Sequence, residues 1–321
     1  MPNLFRHLNN SKNETLKPAS QRGEQVQGDN ERKVQHDNMK KLKIIFFGSS
    51  SYVIPIIKSL NEKFDLVLVL TTEKYPTDAV PTFCLSQKIN YKSVSTLSGP
   101  TINHELLSIK PVVGILADFG LIIPKEILNT FPKGILNIHP SLLPKYRGPT
   151  PVQTAILEGT KTTGVTIIRL DELVDHGPIL GQEKESILPS DTAESLYKRL
   201  FEKGANLLLK VIDIYLEGKL IPVAQNHEKV TFTKPLTRQS GFINISNGVT
   251  AVVKIESMIR AYYPWPGVWF KTKLSGKGKI IKLLPHQKLQ VEGKRPISYK
   301  DFLNGYPDFG RNLLERLGFT Q

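Results

Sequence analysis

The sequence predicts an α/β protein, with a mostly parallel sheet covered on both faces by helices and a small β-rich module behind it. Three observations carry this. Five apolar runs, "LKIIFFG", "DLVLVLTT", "PVVGILADFG", "GILNIHP" and "GVTIIRLD", read as strands buried on both faces. The first three are separated by segments long enough for helical crossovers, which parallel neighbours require. After Gly218 the pattern changes to short β-like pieces and the Gly/Lys-rich "KTKLSGKGKIIKLLP".

The first strand-like run follows Met39, a candidate start of the folded part. Residues 1–38 are almost all Asn, Gln, Ser, Lys, Arg, Glu and Asp, cannot bury enough apolar surface to fold, and are expected to be a disordered polar tail. The tail lacks the apolar core of a secretory signal, and Glu14, Glu24, Asp29, Glu31 and Asp37 argue against a transit peptide, so a cytoplasmic protein is expected. No window reaches the roughly 18 apolar residues of a membrane span, and no membrane partner is expected.

In "SYVIPIIKSLNEKF", Val53, Ile56, Ile57 and Leu60 recur at helical spacing. The preceding turn holds a single glycine, Gly48, so the G-x-G-x-x-G dinucleotide fingerprint is missing and NAD binding has little support. That turn serves equally as a tight structural turn or as a row of N–H groups facing an anion. Cys84 is the only cysteine, which rules out an internal disulfide or a Cys-based zinc cluster within one chain. Further on, "SDTAESLYKRLFEKGANLLLKVIDIYLEGK" is an amphipathic helix. Leu196, Leu200, Leu207 or Leu208, Val211 and Tyr215 form its stripe, and Gly218 stands where a C-terminal cap glycine would. The expected division is a catalytic domain over 39–220, a linker over 221–245 and a small basic module over 246–321.

The formal net charge of +14 is unevenly spread. From Ala251 onward, thirteen Lys and Arg face five Asp and Glu, so +8 of it lies in the last module. A basic module behind a more nearly neutral domain suggests a phosphate-rich partner; a lysine-rich solvated surface is the plainer alternative.

Candidate chemistry lies in "GILNIHPSLLPKYRG". Asn137 and His139 are two apart on a strand and therefore share a face. The loop beyond "GVTIIRL" adds Asp171, Asp175 and His176, and an acid beyond a parallel strand projects to the carboxyl edge, where open α/β sheets bind ligands. Amide, imidazole and carboxylate with no activated Ser or Cys beside them suit acyl transfer without a covalent intermediate. Each residue also has a structural reading: Asn137 as a turn former, His139 as a hydrogen-bonded core residue, Asp175 as a turn or cap residue. A metal site from His139, His176 and Asp171 lacks the helical His spacing of zinc motifs, and no metal is expected.

"LNIHPSLLPKYRG" followed by "TGVTIIRLDELVDHGPIL" resembles the formyltransferase family that takes its formyl group from 10-formyltetrahydrofolate, with its N-x-H-x-S-L-L-P signature and later D-x-G loop. Asn137, His139 and Asp175 fall on the family's catalytic positions. "KIIFFGSSSYVIPIIKSL", "ADFGLIIP", "IRAYYPWPGVWFK" and "EGKRPISYKDFLNGY" are similar to segments of the branch that acts on methionyl-tRNA, so the resemblance runs from about Lys41 to Pro307. It implies a Rossmann-like catalytic domain with an OB-like C-terminal module, 10-formyltetrahydrofolate as co-substrate, initiator methionyl-tRNA as acceptor, and a monomer. It also implies a folate pocket lined by Phe119, Gly120, Leu121 and Ile122 and by Ser141, Leu142, Leu143 and Pro144, with backbone groups bonded to the pterin. Contacts to tRNA are expected from Lys74, in a shortened loop after the second strand, and from Lys271, Lys273, Lys277 and Lys279. Between "PWPGVWF" and "EGKRPIS" about two short strands fit, so the C-terminal module is expected to be reduced. Two other readings stay open: formylation of a nucleotide-linked amino sugar, and a catalytically idle RNA-binding protein.

Overall fold

The computed structural model describes residues 42–72, 79–245 and 252–319; the predicted tail, Met39 and Lys74 lie outside the described residues. Lys43–Gln321 form one compact unit. Its main sheet begins with five parallel strands, β1 (Lys43–Phe47), β2 (Asp65–Thr72), β3 (Tyr91–Val94), β4 (Val113–Leu116) and β5 (Ile135–His139). Two antiparallel strands, β6 (Thr162–Arg169) and β7 (Ile179–Ser186), complete the order β3-β2-β1-β4-β5-β6-β7. The connection Leu170–Pro178 is too short for a parallel crossover, which needs a dozen or more residues, so β7 has to return antiparallel to β6.

Helices α1 (Ile54–Lys63), α2 (Ala79–Gln87), α3 (Pro100–Ile109), the one-turn α4 (Lys125–Leu128), α5 (Pro151–Leu157) and the long α6 (Ala193–Leu216) connect and cover the strands. Among the described residues no helix is long and apolar enough to cross a membrane. The start of α6 is fixed by a capping box, in which Thr192 and Ser195 exchange side-chain and backbone hydrogen bonds. Its predicted stripe is buried, both Leu207 and Leu208 included, and Gly218 takes a φ of 74° just past its end.

Gly204 decides how α6 meets the sheet. A Cβ there would stand 2.7 Å from Ile138 Cγ2 and 3.2 Å from Val165 Cγ2, so its absence lets the helix lie directly on β5 and β6. Ile138 and its cross-strand partner Ile167 therefore face α6. Strand alternation turns Asn137 and His139 to the opposite face.

The C-terminal part adds α7 (Val252–Ala261), an antiparallel sheet and two helices, α8 (Tyr299–Gly305) and α9 (Pro307–Arg316). The sheet holds β8 (Val268–Leu274), β9 (Lys277–Leu284), β10 (Lys288–Val291) and the two-residue β11 (Ile297–Ser298), in order β11-β10-β9-β8. β9 and β10 are the two strands expected between "PWPGVWF" and "EGKRPIS", and β8 and β11, which overlap those segments, extend the sheet to four. The extra strands fit because the turns are tight: Ser275 and Gly276 take φ of 51° and 80°, and His286 and Gln287 take 62° and 53°. Nothing in the pair His-Gln signals such a turn in the sequence. Val268, Phe270, Leu274, Ile281 and Leu283 line the inner face and share one core with Val152 and Ile156 of α5 and Leu196 and Leu200 of α6.

Candidate active site

The structure brings Asn137, His139 and Asp175 together. Asn137 Nδ2 donates to Asp175 Oδ1 at 3.0 Å, and His139 Nδ1 stands 3.5 Å from the same oxygen. The other carboxylate oxygen accepts from the Gly148 N–H at 2.8 Å. Asn137 and His139 are buried, and the Asp175 side chain is 12% exposed.

Asp175 arrives by a different route from the one the sequence suggests. β6 is antiparallel, so Arg169 lies opposite Leu136 near the start of β5, not at the carboxyl edge. The following loop must fold back to reach Asn137. Gly177 allows the reversal, because a Cβ there would lie 1.8 Å from the Arg169 carbonyl oxygen. Asp175 itself sits at φ 48°, a left-handed conformation that Asp tolerates better than most residues. Gln225 Nε2 donates to the carbonyls of both Asp175 and Gly177, each at 2.8 Å, and pins the loop.

A carbonyl decides the protonation pattern of His139. Its Nε2 lies 2.9 Å from the Tyr146 carbonyl oxygen, which can only accept, so Nε2 carries a proton. Nδ1 is then the nitrogen that gains a proton when the ring becomes cationic, and it faces Asp175. Tyr146 pays for its place with a left-handed φ of 62°, unusual for a bulky residue. It is held there by three bonds besides the His139 contact: its N–H to Thr231 Oγ1 (2.8 Å), and its hydroxyl to Glu158 Oε2 (2.6 Å) and Thr160 Oγ1 (3.0 Å). Burial, first, and the Glu158 contact raise the pKa of that hydroxyl, so it stays a donor.

The run Ser141–Pro144 is clamped from beneath. Thr166 Oγ1 donates to the Ser141 carbonyl (2.6 Å) and accepts from the Leu143 N–H (3.1 Å), while Gln182 Nε2 donates to the Leu143 carbonyl (2.7 Å). Ser141 N–H is spent on the His139 carbonyl, and the carbonyls of Leu142 and Pro144 accept from Lys145 and Thr231. The run thus presents a rigid surface through Leu142 and Pro144, with Ser141 and Leu143 buried, and most of its backbone is already bonded. In the other predicted segment Phe119 is buried, edge-on to Phe47, with centroids 5.5 Å apart. Leu121 is half-buried, whereas Gly120 is exposed at φ 79° and Ile122 is 83% exposed. Leu173 (60%) and Val174 (57%), in the Asp175 loop, are exposed too. Lys125 and Glu172 join the two loops through an ion pair of 2.6 Å.

The metal alternative receives different partners. His176 Nδ1 meets Asp171 Oδ2 at 2.6 Å and its ring stacks on His227 at 4.5 Å, while His139 is engaged with Tyr146 and Asp175. The four predicted lysines of the last module divide between two faces. Lys271 and Lys273 alternate with the buried Phe270 and Leu274 and so project outward, where Lys282, the cross-strand partner of Trp269, adds a third cation. Lys277 and Lys279 pair with Leu274 and Thr272 and lie on the inner-facing side at the hairpin tip.

Sequence reasoning missed Tyr146, Arg147, Thr166, Gln182 and Gln225. Arg147 is buried at 4% exposure, and its Nε and Nη2 both donate to Gln225 Oε1, at 3.1 and 2.7 Å. Burial lowers its pKa from the usual arginine value, against the pull of Asp175 and Asp171. Tyr146, Arg147 and Thr166 lie within the quoted segments without marking themselves as site residues; Gln182 and Gln225 act across long sequence separations.

An α/β fold that gathers an amide and an imidazole from one strand and a carboxylate from a loop at one buried point, with no nucleophile among them, fits a group-transfer enzyme. Residues 41–212 match the family described as formyl transferase, and the chain belongs to that family. Methionyl-tRNA formyltransferase of Roseiflexus sp. (strain RS-1) is 38% identical over 236 residues, 70% of this chain and 72% of that protein. A 4-N formyltransferase from Francisella tularensis shares the fold with a TM-score of 0.62 at 20% identity, over 77% of this chain and 99% of that one. HypX from Aquifex aeolicus, solved in complex with tetrahydrofolic acid, does so with a TM-score of 0.57 at 16% identity, over 76% of this chain and 37% of that one.

Proposed function

We propose that this chain transfers a formyl group from 10-formyltetrahydrofolate to the free α-amine of initiator methionyl-tRNA. The convergence of Asn137 and His139 on the Asp175 carboxylate carries the reading, and the methionyl-tRNA formyltransferase relative supports the acceptor. The apolar side chains of Ile122, Leu173 and Val174, left exposed on two loops beside the site, suit a flat aromatic donor. When bound, that donor supplies the formyl carbon and a nitrogen leaving group.

Each side chain has a role its hydrogen bonds leave open. Asn137 Nδ2 has two N–H groups, and only one is engaged by Asp175, so the other is free to donate to the formyl oxygen as charge collects there. The Nδ1–H of protonated His139 is held only loosely by Asp175, at 3.5 Å, and serves the same oxygen before passing its proton to the departing nitrogen. Asp175, steadied by Asn137 and Gly148, accepts the proton that the attacking amine sheds. The amine lone pair forms the new C–N bond, the old C–N bond breaks, and one proton is taken up and one delivered. The outward row of Lys271, Lys273 and Lys282 supports a polyanionic acceptor.

Formyl transfer assayed in parallel on methionyl-tRNA and on an amino-sugar nucleotide tests the reading. Turnover of the first alone is expected. Turnover of the second alone would reassign the acceptor, and folate binding without turnover of either would leave a non-catalytic protein.

A further inference from the structure

A buried cation beside a catalytic carboxylate needs an explanation. Among the described residues no carboxylate lies within ion-pair distance of Arg147, and its guanidinium is turned instead onto a neutral amide. Leaving a charge so deep without a direct counter-ion is costly unless it is well hydrogen-bonded. Gln225, itself buried, spends its oxygen on Arg147 Nε and Nη2 and its nitrogen on the carbonyls on either side of His176, those of Asp175 and Gly177. The remaining guanidinium contact goes to His227 Nδ1 at 3.2 Å. The backbone of Arg147 is fixed separately: its N–H donates to the Thr231 carbonyl and its carbonyl accepts from the Thr233 N–H, and the next residue, Gly148, holds Asp175 Oδ2.

We infer that Arg147 and Gln225 are positioning residues for the transfer, a relay that holds the left-handed Asp175 peptide so that its carboxylate stays on Asn137, His139 and the Gly148 N–H at once. The relay closes a ring. One end of the Lys145–Gly148 segment binds the carboxylate through Gly148, and the other end of the ring binds the Asp175 main chain through Arg147 and Gln225. Neither a shift of the loop nor a turn of the carboxylate is then possible without breaking a buried hydrogen bond. A glutamine is suited to this because it accepts from a cation on one side and donates to two carbonyls on the other.

The inference rests on the formyl-transfer reading, and the two can fail separately. Gln225→Glu keeps an oxygen for Arg147 but sets a second oxygen against the Asp175 and Gly177 carbonyls. It is expected to lower kcat by about 10- to 100-fold, the scale of a small misplacement of reacting groups, with KM for methionyl-tRNA and for 10-formyltetrahydrofolate within about threefold of the parent. A merely structural role would instead lower the melting temperature and leave kcat per folded molecule unchanged. The double variant Arg147→Met/Gln225→Leu removes the buried cation together with its acceptor, so that no charge is left unpaired while the Asp175 and Gly177 carbonyls lose their donor, and should show the same split. Parent-like kcat in either folded variant, or failure of both to fold, would overturn the inference. Absence of formyl transfer by the parent would sink the reading and the inference together.

Discussion

Replacing Asn137 with alanine removes two functions of one amide, and the structure sets the size of the loss. On the proposed reading, the N–H not engaged by Asp175 is one oxyanion donor, a group worth about 10²- to 10³-fold in kcat. The other N–H holds Asp175 Oδ1 at 3.0 Å; without it that oxygen keeps only His139 Nδ1 at 3.5 Å, while Oδ2 retains Gly148. The two effects act on one transition state and do not add freely, so a loss near the upper figure, about 10³-fold, is expected. Stability should suffer far less. The under-bonded oxygen costs about 1–3 kcal/mol if fully desolvated, less here because the Asp175 side chain is not fully buried, and so moves the melting temperature by a few degrees. Asn137→Asp should be worse than alanine at neutral pH. Two carboxylates about 3 Å apart repel by roughly 5 kcal/mol at an effective dielectric of 20. The measurement is formyl-methionyl-tRNA formation with both substrates saturating, alongside a thermal melt. Alanine and aspartate variants that melt like the parent and turn over at its rate would refute the oxyanion role, and an unfolded alanine variant would return Asn137 to a structural one.

Three further outcomes are expected. Gly204→Ala gains about 1 kcal/mol of helix propensity but sets a methyl 2.7 Å from Ile138 Cγ2, and overpacking of this kind costs about 1–3 kcal/mol. The clash should win, lowering the urea midpoint, and a variant more stable than the parent would show that α6 can back away. The pKa of Asp191 is lowered, because hydrogen bonds from Arg199, the Leu188 N–H and Ser195 outweigh the upward push of burial. A depressed acid stabilises above its unfolded pKa of about 3.9 and loses that contribution as pH falls through the folded value, so acid titration of the urea midpoint should be shallower below pH 4 in Asp191→Asn. Finally, replacing Lys271, Lys273 and Lys282 with glutamine should flatten the salt dependence of methionyl-tRNA binding by about 0.9 per lost phosphate contact on a duplex stem and leave donor binding unchanged. Replacing Lys277 and Lys279 should do less, and equal slopes for both variants would deny the outward face its role.

The grouping of the candidate triplet was legible because strand periodicity and a local motif act over a few residues. Two apart on β5 meant one face for Asn137 and His139, and the structure keeps them there. The direction of β6 was not legible, since "TTGVTIIR" is buried along nearly its whole length and such a run looks the same parallel or antiparallel. β7, "ILGQEKES", was missed for the opposite reason: it lies at the end of the sheet, where water replaces a neighbour and polar residues are tolerated. Hairpin register was equally invisible, and only pairing shows that Lys273 and Lys277 face opposite ways. Least legible of all were the groups that hold the site. Arg147 and Gln225 are 78 positions apart, and Gln182 reaches back 39 to Leu143, distances over which no sequence period operates.

The segment between the sheet and the C-terminal strands, expected as a linker, is part of the frame that holds the site. Thr231 and Thr233 bond Tyr146, Arg147 and Thr150 with both side chain and main chain, while Phe232 between them turns outward, as strand alternation requires. The loop that carries Tyr146 to Gly148 runs on into α5, whose Val152 and Ile156 are buried in one core with Phe270 and Ile281. Phe270 precedes Lys271 on β8, so the strand whose outer face carries Lys271 and Lys273 reaches, through its inner face and α7, the helix that begins three residues after Gly148. Interiors are close-packed and transmit displacement instead of absorbing it. On the proposed reading, an acceptor held on β8 is therefore placed with respect to Asp175 by packed side chains and main-chain hydrogen bonds, and a cavity cut beneath Lys271, as in Phe270→Ala, is expected to loosen the acceptor and the carboxylate together.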